Sequence, residues 1–309
     1  MMAENGMHTV NGLVVKGVGG LFEVLLPTGE RVTCRAKGGL KRGDERLLVG
    51  DRVTVQIDES ERGETVVTEI LLRKNALIRP PLANVTVLVV TAAALSPAPS
   101  YEMLDRLLAI CAYEDIRPLF AVTKGDLSEE KARELFSHYE KAGYEVFLLS
   151  SQTGEGVDEL RRVLSVALSD GGIAAFAGAS GVGKSTLLSA LFPHLSLATG
   201  ALSEKTDRGR HTTRHVELFP FAGGFVADTP GFSLLDFERF DFLPLSALAD
   251  CFPEFRPFIG ECRYDDCSHT KEEGCAILAA VERGEVSRKR HESYLTLYPI
   301  LKAKEKKYK

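Results

Sequence analysis

Residues 175–191 read AFAGASGVGKSTLLSAL, and Gly178, Gly183, Lys184 and Ser185 among them fit the spacing G-x-x-x-x-G-K-[ST]. The motif lies between an apolar, strand-like run and a helix-forming run, which is the context it needs. Its glycines let backbone N–H groups turn toward phosphate oxygens, and the helix start adds positive potential. Lys184 would reach the β- and γ-phosphates and Ser185 would offer its hydroxyl to Mg²⁺. Ala179, Ser180, Gly181, Val182 and Thr186 complete the cradle. The stretch nevertheless sits past the middle of a chain of 309 residues, whereas nucleotide-binding domains of this kind usually begin with it. The fold therefore depends on where the other parts lie.

One part follows. FVADTPGF (225–232) sets Asp228 and Gly231 at the end of a second apolar run. Asp228 there would hold Mg²⁺ through water, and the Gly231 amide would approach a γ-phosphate and sense its loss. Between the two motifs runs EKTDRGRHTTRHVELF (204–219), polar and basic, in the place of a first switch. Thr212 or Thr213 is the candidate to close over Mg²⁺, and His211 to position water or meet γ-phosphate charge; an ordinary surface loop fits the same residues. No glutamine follows the D-x-x-G, and Phe232 stands there instead.

The base-reading parts precede. In AVTKGDL (121–127), Asp126 follows a strand, where its carboxylate would accept from N1–H and the exocyclic N–H of guanine, a pair adenine lacks. An unmet buried charge costs more than a lost contact, so such a site rejects adenine. Lys124 would lie along the base, and SSQTGEG (150–156) would add backbone contacts near Ser150 and Ser151. Thr123 occupies a position where asparagine is usual, and the shorter side chain is expected to lose a tether between base loop and phosphate loop. The order is thus base, base, phosphate, switch, switch, a circularly permuted GTPase. A sheet tolerates this because its contacts are set in space and permutation only moves the chain break to a surface loop.

The remaining sequence frames this domain. Short strand-like runs from residue 10 to about 72 suggest a small barrel of the oligonucleotide-binding (OB) type, and a barrel with no binding role fits equally. Arg31, Arg35, Lys37, Lys41, Arg42 and Arg46 against Asp44 and Glu45 make one region of it locally basic. Pro80 and Pro81 mark an extended connector. From 82 onward apolar strands alternate with amphipathic helices, which implies a parallel sheet covered by helices. Beyond 235, Cys262, Cys267, His269 and Cys275 form C-x4-C-x-H-x5-C, which satisfies tetrahedral Zn²⁺ with no open position, a structural site; buried free thiols are the alternative. Cys34, Cys111 and Cys251 are isolated and read as apolar fillers. The division is then 1–73 OB barrel, 74–81 linker, 82–235 permuted GTPase domain, and 236–309 a mainly helical zinc-binding domain.

A net charge of -5 excludes a uniformly basic nucleic-acid binder but not a local patch, and Arg288–Lys309 holds eight Lys or Arg against two acidic residues. No apolar run is long enough to span a bilayer, and the N-terminal stretch has no signal-peptide pattern, so a cytoplasmic protein is expected. A metabolic kinase or ATPase would need a phosphoacceptor pocket that nothing in 82–235 suggests. An RNA-binding scaffold with a vestigial nucleotide site stays open, although Lys184 and Ser185 are intact.

In these motifs, T-K-x-D, S-S-x-T-G-x-G, G-x-S-G-V-G-K-S, G-R-H-T-T, D-T-P-G-F and the cysteine knuckle, the chain resembles the ribosome small-subunit-dependent GTPase A (RsgA) family over nearly its whole length. The resemblance implies GTP hydrolysis to GDP and phosphate, stimulated by the 30S subunit in late maturation. It also implies barrel and zinc module on 16S rRNA, His211 in catalysis with Lys184 and Thr213, and Mg²⁺ held by Ser185, Thr213 and Asp228. A monomer without a membrane partner meets these requirements.

Overall fold

The computed structural model describes residues 7–38, 40, 46–58, 64–195, 216–228, 237 and 239–306. The chain divides into two compact units, Met1–Thr86 with Ser165–Ala175 and Gly200–Gly231, and Val87–Leu164 with Phe176–Thr199 and Phe232–Lys309.

The first unit holds the expected barrel: β1 (Met7–Val18), β2 (Leu21–Leu25), β3 (Arg31–Ala36), β4 (Arg52–Asp58) and β5 (Val66–Ile70). Spatial order is β1-β2-β3-β5-β4, and antiparallel pairing of β1 with β4 from Met7↔Asp58 to Leu13↔Arg52 closes it, which leaves no open sheet edge. Alternation along the strands turns Val14, Val24, Cys34, Val53, Val55 and Val67 into a dry core. Asp51, fully buried at the base, accepts from Arg73 Nε (2.6 Å) and Nη2 (2.8 Å) and from the Leu48 amide (2.7 Å). The stretch expected as an extended connector is instead turned back on itself. There β6 (Ala76–Leu77) pairs with β7 (Leu82–Ala83), and the Asn75 side chain locks both the N–H and the C=O of Val85 at 2.8 and 2.9 Å.

The second unit carries three parallel strands, β8 (Val87–Ala93), β9 (Arg117–Thr123) and β10 (Glu145–Leu148), in register from Val87↔Arg117 and Glu145↔Leu119. β8 is buried at every residue, as an apolar strand covered on both faces must be. Between them run α1 (Tyr101–Tyr113) and α2 (Glu129–Lys141), each started by a serine, Ser100 or Ser128, whose hydroxyl accepts from the third residue of the helix. Next come α3 (Val157–Leu168), β11 (Ile173–Ala177) and α4 (Lys184–Leu191). The antiparallel hairpin β12 (Glu217–Phe221) and β13 (Gly224–Asp228) belongs to the first unit, where β13 runs parallel to β11 at Ile173↔Phe225 and Ala174↔Val226.

The chain ends in α5 (Ala276–Arg283) and α6 (Arg288–Glu305). One stripe of α6, Arg290, Tyr294, Leu297 and Leu301, is buried at helical spacing. Arg290 is fully enclosed: Nη1 donates to Asp105 of α1 (2.6 Å), Nε to Glu254 (2.6 Å) and Nη2 to the Tyr144 hydroxyl (3.0 Å), while Tyr139 donates to the same Asp105 oxygen (3.0 Å). This cluster joins the C-terminal segment to α1 and α2. Cys34, Cys111 and Cys251 are buried as fillers, and burial pushes the Cys34 thiol up to about 11. Among the described residues no helix is long and apolar enough to cross a membrane.

Two outcomes follow for stability. Arg290→Ala leaves two carboxylates without their buried partner and should cost about 3–5 kcal/mol, seen as an earlier denaturant transition. His138, on α2, is held down at about 4 by burial and then by the charges of Arg290 and Lys289, against Glu254 and Glu134. Its unfolded value is about 6.5, so the unfolded chain binds the extra proton first. Stability is then full above that value and falls as pH drops toward 4, by at most about 1.4 kcal/mol per unit. In His138→Gln, denaturation midpoints measured across this window should fall less steeply.

Candidate functional site

The phosphate-loop motif leaves β11 and enters α4, as its spacing requires. At Gly178 a Cβ would stand 2.2 Å from the Thr91 carbonyl oxygen, so only glycine lets the loop cross β8 this closely. Gly183, at φ 96, forms the left-handed N-cap of α4 and leaves the helix's first amides pointing out of the loop. Lys184 folds back over it, with Nζ donating to Gly178 O (2.6 Å) and Ala179 O (3.3 Å), and burial lowers its pKa. Val182 is buried, while Ser180, Gly181, Ser185 and Thr186 are exposed. The loop thus presents amides, hydroxyls and one cation, which suits a polyphosphate.

The T-K-x-D segment leaves β9 and meets this loop. Thr123 is buried, and its hydroxyl donates to Val182 O at 2.5 Å, with Ala92 O at 3.2 Å. The expected loss of the tether is therefore wrong. β9 approaches the phosphate loop closely enough for a threonine hydroxyl to span the gap. Lys124, in the left-handed region at φ 56, sends Nζ to Gly181 O (2.8 Å) and Ser96 O (2.5 Å). Asp126 lies exposed in the 3-10 turn Gly125–Leu127 that follows, and the Gly125 amide bonds to Leu149 O (3.3 Å). Ser150 is buried next to it in chain order, its hydroxyl accepting from Thr153 N (3.2 Å), and Ser151 is half-buried. Thr123 and Lys124 thus meet the phosphate loop, although 59 positions separate Thr123 from Val182. Sequence reasoning missed Ser96, whose carbonyl holds Lys124; the only signal was the Pro-rich SPAPS after β8.

Asp228 closes β13. His211, Thr212, Thr213 and Gly231 lie outside the described residues.

The second centre is the knuckle. The ligand atoms of Cys262, Cys267, His269 and Cys275 all lie within 4.8 Å of one another. Cys262 Sγ and Cys275 Sγ are 3.9 Å apart, and each is 3.5 Å from His269 Nδ1. A tetrahedral zinc with bonds of about 2.3 Å to sulfur and about 2.0 Å to nitrogen would have edges of roughly 3.8 and 3.5 Å, so these residues fit one. The surroundings are built to hold them. Ala276 N donates to Cys262 Sγ (3.3 Å) and Leu278 N to Cys275 Sγ (3.5 Å) at the start of α5. His291 Nε2 meets His269 O at 2.8 Å, and the Tyr294 hydroxyl donates to Ser268 O at 2.9 Å. Glu272 accepts the amides of Ser268 (3.2 Å), Thr270 (3.0 Å) and Lys271 (3.0 Å) and the Ser268 hydroxyl. Burial alone would raise its carboxyl, but those bonds outweigh it and hold the group at about 2.

Comparison with known proteins agrees with this geometry. The RsgA GTPase family matches residues 70–238, and the RsgA N-terminal domain matches 11–64. The small ribosomal subunit biogenesis GTPase RsgA of Ruminiclostridium cellulolyticum is 40% identical over 293 residues, 94% of this chain and 93% of that protein. Its namesake from Moorella thermoacetica is 40% identical over 300 residues, 97% of this chain and all (100%) of that one. YjeQ from Thermotoga maritima superposes with a TM-score of 0.78 at 32% identity, covering 95% of this chain and 99% of that one. YloQ, a circularly permuted GTPase, gives 0.75 at 31% identity over 98% of each chain.

The tether makes a direct prediction. Thr123→Val leaves the Val182 carbonyl without its donor and should weaken nucleotide binding about tenfold, whereas Thr123→Ser should stay close to wild type. Fluorescent GDP titration distinguishes the two. Glu272→Ala strips the knuckle of its amide acceptor and should lower its melting temperature and speed metal loss to a chelator.

Proposed function

This chain belongs to the RsgA GTPase family and is a GTP hydrolase, and from that premise we propose that it couples GTP turnover to late maturation of the 30S ribosomal subunit. The observation that supports this most directly is the meeting of Thr123 and Lys124 with Val182 and Gly181, which sets the T-K-x-D loop against the phosphate loop.

In this reading Asp126 accepts from the guanine edge while Lys124 and the Ser150–Ser151 backbone flank the base. Gly178, Ala179, Ser180, Gly181, Val182, Gly183, Lys184, Ser185 and Thr186 cradle the phosphates, and Gly231 with Thr212 and Thr213 reports the γ-phosphate. His211 orients the attacking water, and Lys184 meets charge on the transferred group. Ser185, Thr213 and Asp228 are hard oxygen donors of the kind that holds Mg²⁺. When bound, Mg²⁺ neutralises charge developing on the β- and γ-phosphate oxygens. Cys262, Cys267, His269 and Cys275 hold one structural Zn²⁺, which organises a segment of few regular elements.

The functional division is 1–73 for RNA binding, 74–81 as connection, 82–235 for GTP and 236–309 for the zinc module. Basic residues of the barrel and of the tail grip 16S rRNA phosphates, so binding weakens with salt. Hydrolysis releases the switches and loosens the grip on the subunit. The protein acts in the cytoplasm as a monomer, with no membrane partner.

GTPase turnover titrated with purified 30S, 50S and 70S particles tests the reading. Stimulation by 30S above the other two is expected, with loss of stimulated turnover in Lys184→Ala of unchanged fold. Subunit binding with no turnover at all would instead fit an RNA-binding scaffold with a vestigial nucleotide site.

A further inference from the structure

Strand β8 ends at Ala93, and residues 94–100 carry the chain to α1. Both ends of this segment are pinned. The Ala94 amide extends the ladder by donating to Thr123 O of β9 (3.0 Å), and the Ser100 hydroxyl caps α1 by accepting from Met103 N (3.4 Å). Between them stand Leu95, Ser96, Pro97, Ala98 and Pro99. Each proline ring fixes its own φ, so the segment samples few conformations.

This stiff segment lies beside the phosphate loop. A Cβ at Gly181 would stand 3.8 Å from Pro97 Cδ, an ordinary contact distance, so the pyrrolidine ring borders the loop there. One residue earlier, Ser96 O accepts from Lys124 Nζ (2.5 Å), whose second acceptor is Gly181 O (2.8 Å). The ammonium is thus held from two sides, by the segment after β8 and by the phosphate loop. An ammonium has three N–H donors; two are used here, which leaves one for a ligand and fixes where the side chain lies. The Lys124 backbone is in the left-handed region, φ 56, which a residue with a side chain keeps only where its surroundings hold it. Ser96 contributes a backbone carbonyl, so its place depends on the path of the segment, and Pro97 sets that path. All of these residues belong to the second unit.

We propose that Pro97 is a positioning residue for guanine nucleotide binding. By fixing the Ser96 carbonyl it keeps the Lys124 ammonium between phosphate loop and base, and so slows release of the nucleotide. The segment after β8 is then a third wall of the site, beside the T-K-x-D and phosphate loops. This rests on the reading above in which Lys124 flanks the guanine base.

The test uses the full-length chain with Pro97→Gly, Lys124→Met and the double variant. Release and affinity of fluorescent GDP are measured, together with affinity for inorganic pyrophosphate, which engages the phosphate loop but has no base. Pro97→Gly should speed GDP release about fivefold and leave pyrophosphate affinity within about twofold, the range expected when glycine frees one loop position. Lys124→Met should speed release at least as much, and the double variant should match Lys124→Met, because Pro97 then has no ammonium to position. GDP release at the wild-type rate in Pro97→Gly would overturn the proposal. So would rate increases that multiply in the double variant, or a fall in pyrophosphate affinity equal to that for GDP, since each marks a general loosening rather than an effect through Lys124. Melting curves check the fold of each variant, and if Lys124→Met loses GDP too fast to time, the pyrophosphate comparison decides alone. A wild-type chain that held no GDP would overturn the guanine-nucleotide reading itself, and this inference with it.

Discussion

The nucleotide site depends on one short contact, the Thr123 hydroxyl against the Val182 carbonyl, with Lys124 Nζ on Gly181 O beside it. These bonds hold two loops together whose residues are far apart in the chain and whose strands end at the same side of a parallel sheet. Ligands in such sheets bind where loops gather at the carboxyl ends of strands. The chain order of those loops is irrelevant to the site as long as the strands pair correctly. β8 and β9 do so in unbroken register over seven residues, from Val87↔Arg117 to Ala93↔Thr123.

Around that contact the molecule spends buried charge sparingly and in enclosed clusters. Arg290 ties α6 to α1 and to the Glu254 turn, and Asp51 with Arg73 fixes the barrel base. Both are bidentate or multiply bonded, the condition under which a buried ion pair holds its geometry. The knuckle uses the same logic with thiols: backbone amides at the start of α5 face Cys275, and Glu272 ties the turn that presents His269.

Much of this was legible in the sequence because the chemistry is local. A phosphate loop needs glycine where φ is positive and the backbone crosses another strand, and Gly178 and Gly183 mark that directly. The metal cluster is readable because its ligands fall within one short segment, and the barrel because its strands alternate. What escaped was long-range. The Thr123 tether was misjudged because side-chain length alone says nothing of how near β9 comes to Val182. The Pro80–Pro81 stretch was read as extended, yet Asn75 folds it into a hairpin through Val85.

The central claim, that loops permuted in sequence converge on a single guanine nucleotide, is tested most directly by titrating fluorescent GDP and ADP into the wild-type chain and into Asp126→Ala. GDP should bind far more tightly than ADP to the wild type, and the preference should vanish in the variant while Lys184 still holds phosphate. Equal affinities for GDP and ADP in the wild type, or a preference untouched by the loss of Asp126, would contradict the account.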